Sequence, residues 1–178
     1  MTEYGVRMRV GGCARVLPKR SVPYSPSEAF RKSHTMSHKH ILLAEDNEAE
    51  RRMIVDAFAA VDPAIEITAV GTAREVIDYI SSDEVYDLSF ALVDLSLPNG
   101  GGQEMLRQLS DNPEMRMLPV VVLSGTDDPA AVIECYASGA SAFVSKPEDP
   151  EEYRRIARTM SDFWLDINVT AKPEVSLF

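Results

Sequence analysis

LSFALVDLSLP, residues 88–98, is a short apolar run that stops on an acid, Asp94. Residues 88–93 are apolar on nearly every successive position, which suits a strand of a parallel sheet covered on both faces. Comparable runs recur at 40–44, 65–70, 119–124 and 141–145. Between them the apolar residues change to helical spacing. Ile54, Phe58 and Val61 form one set, and Ala73, Val76, Ile77 and Ile80 a second. Met105, Leu106 and Leu109 form a third, and Val132, Ile133, Tyr136 and Ala137 a fourth. A last helix is expected from Asp149-Pro150, with Tyr153, Ile156, Met160, Phe163, Trp164 and Ile167 on one broad stripe.

The punctuation agrees. Asn47, Thr72 and Asp127 or Asp128 before Pro129 stand where helix N-caps belong, and Gly139 stands where a left-handed residue ends a helix. Five strands alternating with five helices predict an α/β fold, a doubly wound five-stranded parallel sheet of the flavodoxin-like kind. The expected strand order is 2-1-3-4-5, with helices on both faces.

Composition bounds the function. The 178 residues are 45% hydrophobic and 26% charged, with a formal net charge of −10. Residues 1–36 carry seven Lys or Arg against two acids, a net +5, which leaves −15 on residues 37–178. A body this acidic repels a phosphate backbone, and no nucleic-acid partner is expected. No apolar run reaches the roughly 20 residues that a membrane span needs. Cys13 and Cys135 are too few for a disulfide framework, and a cytoplasmic location is expected. Three domains are expected: a basic, disordered extension at 1–36, one globular domain at 37–168 and a tail at 169–178. Neither Cys135 nor the histidines at 34–40 are assigned a role.

Ligands of such sheets bind beyond the carboxyl ends of the strands. Strand 1, in ILLAEDNEAE (41–50), delivers Glu45 and Asp46 there; strand 3 delivers Asp94. Strand 4, in VVVLSG, delivers Ser124, and strand 5, in AFVSKP, delivers Lys146. Three carboxylates in one place call for a hard cation, with Mg²⁺ the natural occupant. With the acids neutralised, one carboxylate can attack phosphorus, while the cation, the Lys146 ammonium and the Ser124 hydroxyl hold the phosphoryl oxygens.

This set resembles the receiver domain of two-component response regulators over about residues 38–168. The spacing agrees: 48 residues from Asp46 to Asp94, 30 to Ser124 and 22 more to Lys146. The resemblance implies that Asp94 accepts a phosphoryl group from a histidine kinase. It implies Mg²⁺ held by Glu45, Asp46, Asp94 and the backbone carbonyl of Ser96. Ser124 and Phe143 would be the switch residues, Lys146 would pair with the phosphoryl oxygens, and the Lys146–Pro147 bond would be cis. Phe143 departs from the frequent Tyr, and residues 99–102, NGGG, depart from a frequent acid-Gly turn.

Blander readings compete for each residue taken singly. Asp94 could cap a turn, Glu45 could be solvated, Ser124 could cap a strand end and Lys146 could be a surface lysine. Their register at four strand ends favours the functional reading. A haloacid dehalogenase-type hydrolase would need a second acid at position 96, which is Ser96. A P-loop would need Lys after its glycines, where Gln103 stands. A receiver fold that only binds would be expected to have lost some of the five polar residues.

No second domain is expected after the last helix, so the output surface would be the receiver itself. SDFWLDINV, 161–169, and SDNPEMRMLPVVVLS, 110–124, resemble stand-alone receivers paired with phytochrome-type histidine kinases of cyanobacteria and other bacteria. That resemblance implies such a kinase as partner and a switch protein, not an enzyme. The last helix carries more apolar residues than one face can bury, so a homodimer through the C-terminal region is expected.

Overall fold

The structure is a computed structural model that describes residues 39–81, 87–98, 101–112 and 115–169. The expectations for residues 1–36, for 170–178 and for 99–100 lie outside the described residues.

β3 (Leu88–Asp94) is buried at every position and forms the centre of a five-stranded parallel sheet. The sheet also contains β1 (His40–Ala44), β2 (Glu66–Val70), β4 (Val120–Ser124) and β5 (Ala142–Ser145), in the order 2-1-3-4-5. The helices are α1 (Glu48–Val61), α2 (Ala73–Ile80), α3 (Gly101–Asp111), α4 (Pro129–Ala137) and α5 (Pro150–Met160). A 3₁₀ turn, Met115–Met117, precedes β4.

The pleat sorts the strand residues between two cores. Ile41, Leu43, Phe90, Leu92, Val121 and Leu123 face α1 and α5. Leu42, Ala44, Ala91, Val93, Val120 and Val122 face α2, α3 and α4. α1 closes the first core with Ile54, Ala57 and Phe58, each large side chain contributing about 1.5–3 kcal/mol on burial.

The caps fall where the sequence places them. Asn47 Oδ1 accepts from the Ala49 and Glu50 N–H groups, Thr72 Oγ1 accepts from Glu75, and Asp128 Oδ1 accepts from Ala130. Gly139, at φ 97°, turns the chain out of α4. A Cβ there would lie 2.9 Å from Ser110 Cβ and Oγ, so both conformation and space select glycine.

Two helical expectations are corrected. The apolar set of α4 faces outward, with Ile133 68% and Tyr136 51% exposed, and Cys135 is the α4 residue that enters the core. The last helix changes winding: α5 ends at Met160 and continues as a π-helical turn, Ser161–Ile167. Hydrogen bonding from i to i+5 rotates the following residues, so Leu165 is buried while Phe163 and Ile167 are exposed. Trp164 packs half-buried against Phe163 (ring centroids 4.7 Å apart) and against Phe90 of the sheet (6.2 Å).

Lys39 ties this turn to the end of α1, its Nζ lying 2.9 Å from Asp62 Oδ2 and 3.2 Å from Asp166 Oδ1. The Ala64 N–H, which donates to Asp62 Oδ1, and then the Lys39 ammonium hold the Asp62 carboxyl below its usual range. A depressed native value adds stability that is present above the ordinary value of 3.8 and is lost as the pH falls through the native one. Asp62→Asn is therefore expected to destabilise the protein at neutral pH, with the gap to wild type closing in acid. Denaturant melts at pH 7 and below pH 3.8 check this; a gap independent of pH would show that the charge at position 62 is immaterial.

Candidate functional site

The same pleat builds the site. On β1, Ile41 and Leu43 are followed on their face by Glu45, whose N–H continues the ladder to Val70 O at 3.0 Å. On β3, Phe90 and Leu92 are followed by Asp94. On β5, Ala142 and Val144 are followed by Lys146, whose N–H reaches Ser124 O at 2.7 Å. Three strand ends thus deliver two acids and an ammonium to the face covered by α1 and α5.

Lys146 Nζ donates to Glu45 Oε2 at 2.8 Å and to Asp94 Oδ2 at 3.0 Å. It also donates to Glu50 Oε2 at 2.6 Å. Glu45 is 1% exposed, Asp94 3% and the Lys146 side chain 13%. The second oxygen of Asp94, Oδ1, accepts the Ser96 N–H at 2.9 Å. Both carboxylate oxygens of Asp94 are therefore fixed in direction.

Burial raises the Glu45 carboxyl above its usual range, against the opposing pull of the Lys146 ammonium and of the Asn47 N–H. For Lys146, burial acts downward, but the hydrogen bonds to Glu45, Glu50 and Asp94 outweigh it and raise the ammonium. Lys146 accordingly stays charged at all ordinary pH values. Three carboxylates gather around this one cation, and the surplus is negative.

Glu45, Asp46 and Asp94 each offer an oxygen, all within 4.8 Å of one another. Glu45 and Asp94 are buried and Asp46 is open to water. A set of hard oxygen donors with one solvent-facing side fits a divalent cation that keeps several waters.

Ser124 and Phe143 have hydrogen bonds of their own. Ser124 is 1% exposed, and its Oγ accepts the Thr126 N–H at 3.3 Å. Phe143 is half-buried against the core under α2, α3 and α4, and its N–H donates to Tyr136 Oη at 3.2 Å. The expected cis bond at Lys146–Pro147 is a correction: the described backbone contains no cis peptide. Before proline, trans is favoured by about 0.5–1 kcal/mol, and with a trans bond Lys146 already reaches its three acids.

Glu50 was missed. It sits three residues after the N-cap Asn47, the place of an ordinary capping-box acid, and Asn47 Nδ2 indeed donates to its Oε1 at 3.2 Å. The usable signal is positional, since the first turn of α1 lies over the face that Glu45 and Lys146 share.

The model of the response regulator receiver domain matches residues 41–158, and the chain belongs to that family. Among its relatives is a probable methanogenesis regulatory protein, FilR2 of Methanothrix harundinacea. The two are 29% identical over 136 residues, 75% of this chain and 88% of FilR2. The response regulator Rcp1 of Synechocystis is 27% identical over 132 residues, 72% of this chain and 90% of Rcp1. Rcp1 has also been solved with Mn²⁺ bound, and that structure shares this fold with a TM-score of 0.64. The phosphorylated cyanobacterial phytochrome response regulator RcpA is 27% identical and has a TM-score of 0.68. The match covers 75% of this chain and 98% of RcpA. The protein is thus a receiver-domain response regulator, homologous to the response regulator Rcp1 and to the phytochrome response regulator RcpA.

Proposed function

We propose that the protein is a Mg²⁺-dependent phosphoacceptor switch that takes a phosphoryl group on Asp94 from a phytochrome-type histidine kinase. The observation that carries this is the seat of Asp94. It is a buried carboxylate at the end of the central strand, held by the Ser96 N–H on one oxygen and by Lys146 on the other.

In the transfer, a carboxylate oxygen of Asp94 forms a bond to phosphorus as the bond from phosphorus to the histidine nitrogen breaks. The leaving imidazole keeps the electron pair and takes a proton from solvent. Lys146 offsets charge on the phosphoryl oxygens, and the Ser124 hydroxyl turns from the Thr126 N–H to donate to one of them, with Phe143 moving inward behind it. Glu45, Asp46, Asp94 and the Ser96 carbonyl would hold Mg²⁺, which would supply charge neutralisation to acids and phosphoryl group alike. Incubation with Mg²⁺ and acetyl phosphate should add one phosphoryl mass to the chain, mapped to the peptide containing Asp94. A phosphotransfer screen against phytochrome-type kinases identifies the physiological donor.

The domain reading is a receiver at 37–168, flanked by a basic extension at 1–36 and a tail at 169–178, with no catalytic turnover beyond the transfer. The −15 charge of residues 37–178 favours a protein partner over nucleic acid. Among the described residues no helix is long and apolar enough to cross a membrane. The buried Cys135 is a free thiol, which suits the reducing conditions of a cytoplasmic site of action.

The C-terminal turn leaves Phe163 47%, Ile167 69% and Val169 63% exposed, which supports a homodimer through this region. Sedimentation of the purified protein is expected to give twice the chain mass. A strictly monomeric mass at high micromolar concentration, phosphorylated or not, would sink the dimer.

A further inference from the structure

Lys146's third partner, Glu50, has no part in the chemistry so far assigned to the site. Its carboxylate is gripped on both sides, by Asn47 Nδ2 on Oε1 at 3.2 Å and by Lys146 Nζ on Oε2 at 2.6 Å. An ammonium has three N–H donors, and Lys146 directs them at Glu45, Glu50 and Asp94.

Two of those acceptors are shared. Glu45 and Asp94 also belong, with Asp46, to the set of oxygens lying within 4.8 Å of one another, and Glu50 does not. Any cation those three acids hold competes with Lys146 for the carboxylates of Glu45 and Asp94, and it repels the ammonium. Phosphorylation then converts the Asp94 carboxylate to an acyl phosphate, and the ammonium must pass to a phosphoryl oxygen. Neither event consumes the Glu50 carboxylate, which lies outside that set of oxygens.

We propose that Glu50 is a positioning residue that anchors the Lys146 ammonium at the rim while Glu45 and Asp94 are engaged elsewhere. The proposal rests on the reading of Asp94 as phosphoacceptor and Lys146 as its phosphoryl partner. Asn47, the N-cap that starts α1, also aims the anchor.

Glu50→Gln separates anchoring from capping, because glutamine still fills the capping-box position but carries no charge. The first readout needs no phosphate. In ¹⁵N-lysine spectra the slowly exchanging Lys146 ammonium signal should persist in the wild type when Mg²⁺ is added. In Glu50→Gln it should be present without metal and lost with it. Persistence in the variant, or loss in the wild type, overturns the proposal. The second readout is the uptake rate at saturating acetyl phosphate. Loss of one charge-assisted hydrogen bond should slow it about tenfold in Glu50→Gln. Glu50→Asp, which keeps the charge, should recover part of the rate. A Glu50→Gln rate equal to or above the wild type, or a Glu50→Asp rate no better than that of Glu50→Gln, also overturns it. A wild type that takes up no phosphoryl group instead refutes the phosphoacceptor reading, and the ammonium spectra then decide the anchor alone.

Discussion

The Asp94→Asn substitution is expected to reduce phosphoryl uptake to background while leaving the fold intact. In the proposed transfer the carboxylate is the nucleophile, and an amide oxygen of the same shape is far too weak to attack phosphorus. The packing need not change. The amide keeps an acceptor for the Ser96 N–H, and Lys146 retains Glu45 and Glu50. The exchange also removes one of three carboxylates crowded around a single ammonium. Metal-free Asp94→Asn should therefore melt no lower than the wild type. Intact-mass spectrometry after incubation with acetyl phosphate and Mg²⁺ reads the first expectation and a thermal melt the second. Continued uptake by a folded Asp94→Asn variant would move the nucleophile to Glu45 or Asp46 and end the assignment of Asp94.

The second large effect comes from a residue with no side chain. Gly102 lies in the first turn of α3, and a Cβ there would sit 2.6 Å from Leu95 O, 2.7 Å from its Cα and 2.9 Å from its carbonyl carbon. In an open helix, Gly→Ala gains about 1 kcal/mol. Here the obstacle is backbone, which cannot swing aside as a side-chain tip would. Leu95 is moreover pinned between Asp94 on the central strand and the buried Leu97. Gly102→Ala is expected to cost about 3 kcal/mol, the upper end of the usual overpacking range. In a domain of this size that lowers Tm by roughly 10 °C. Because the displaced segment directly follows Asp94, phosphoryl uptake should also fall. Urea unfolding with an unchanged m-value checks the first part. A variant as stable as the wild type would mean that α3 can lift off the β3–α3 loop at little cost.

The five strand ends, the order of the sheet and the gathering of Glu45, Asp46, Asp94 and Lys146 follow from features that are local in sequence. A run apolar at nearly every position marks each strand, a polar residue ends four of the five, and the doubly wound pattern supplies the order. What stayed hidden depends on relations that a linear pattern does not carry. Glu50 is indistinguishable from a helix-capping acid until α1 is laid over the sheet. The outward turn of Ile133 and the rotation at Met160 depend on winding and on what each helix meets, and a pattern that assumes 3.6 residues per turn cannot register a π turn. The trans Lys146–Pro147 bond corrects an expectation carried by family resemblance, because an X–Pro bond has too small an isomer preference to be read from sequence.

Trp164 is the single tryptophan of the chain, and it lies against Phe90 at the first turn beyond α5. Phe90 stands four residues before Asp94, about 13 Å back along β3. Intrinsic fluorescence of this protein is therefore a gauge of how the C-terminal turn is seated and of anything that covers Phe163 beside it. Asp94 lies at the other end of that stretch of β3, so one optical channel follows the seating of the turn while the chemistry is followed in another.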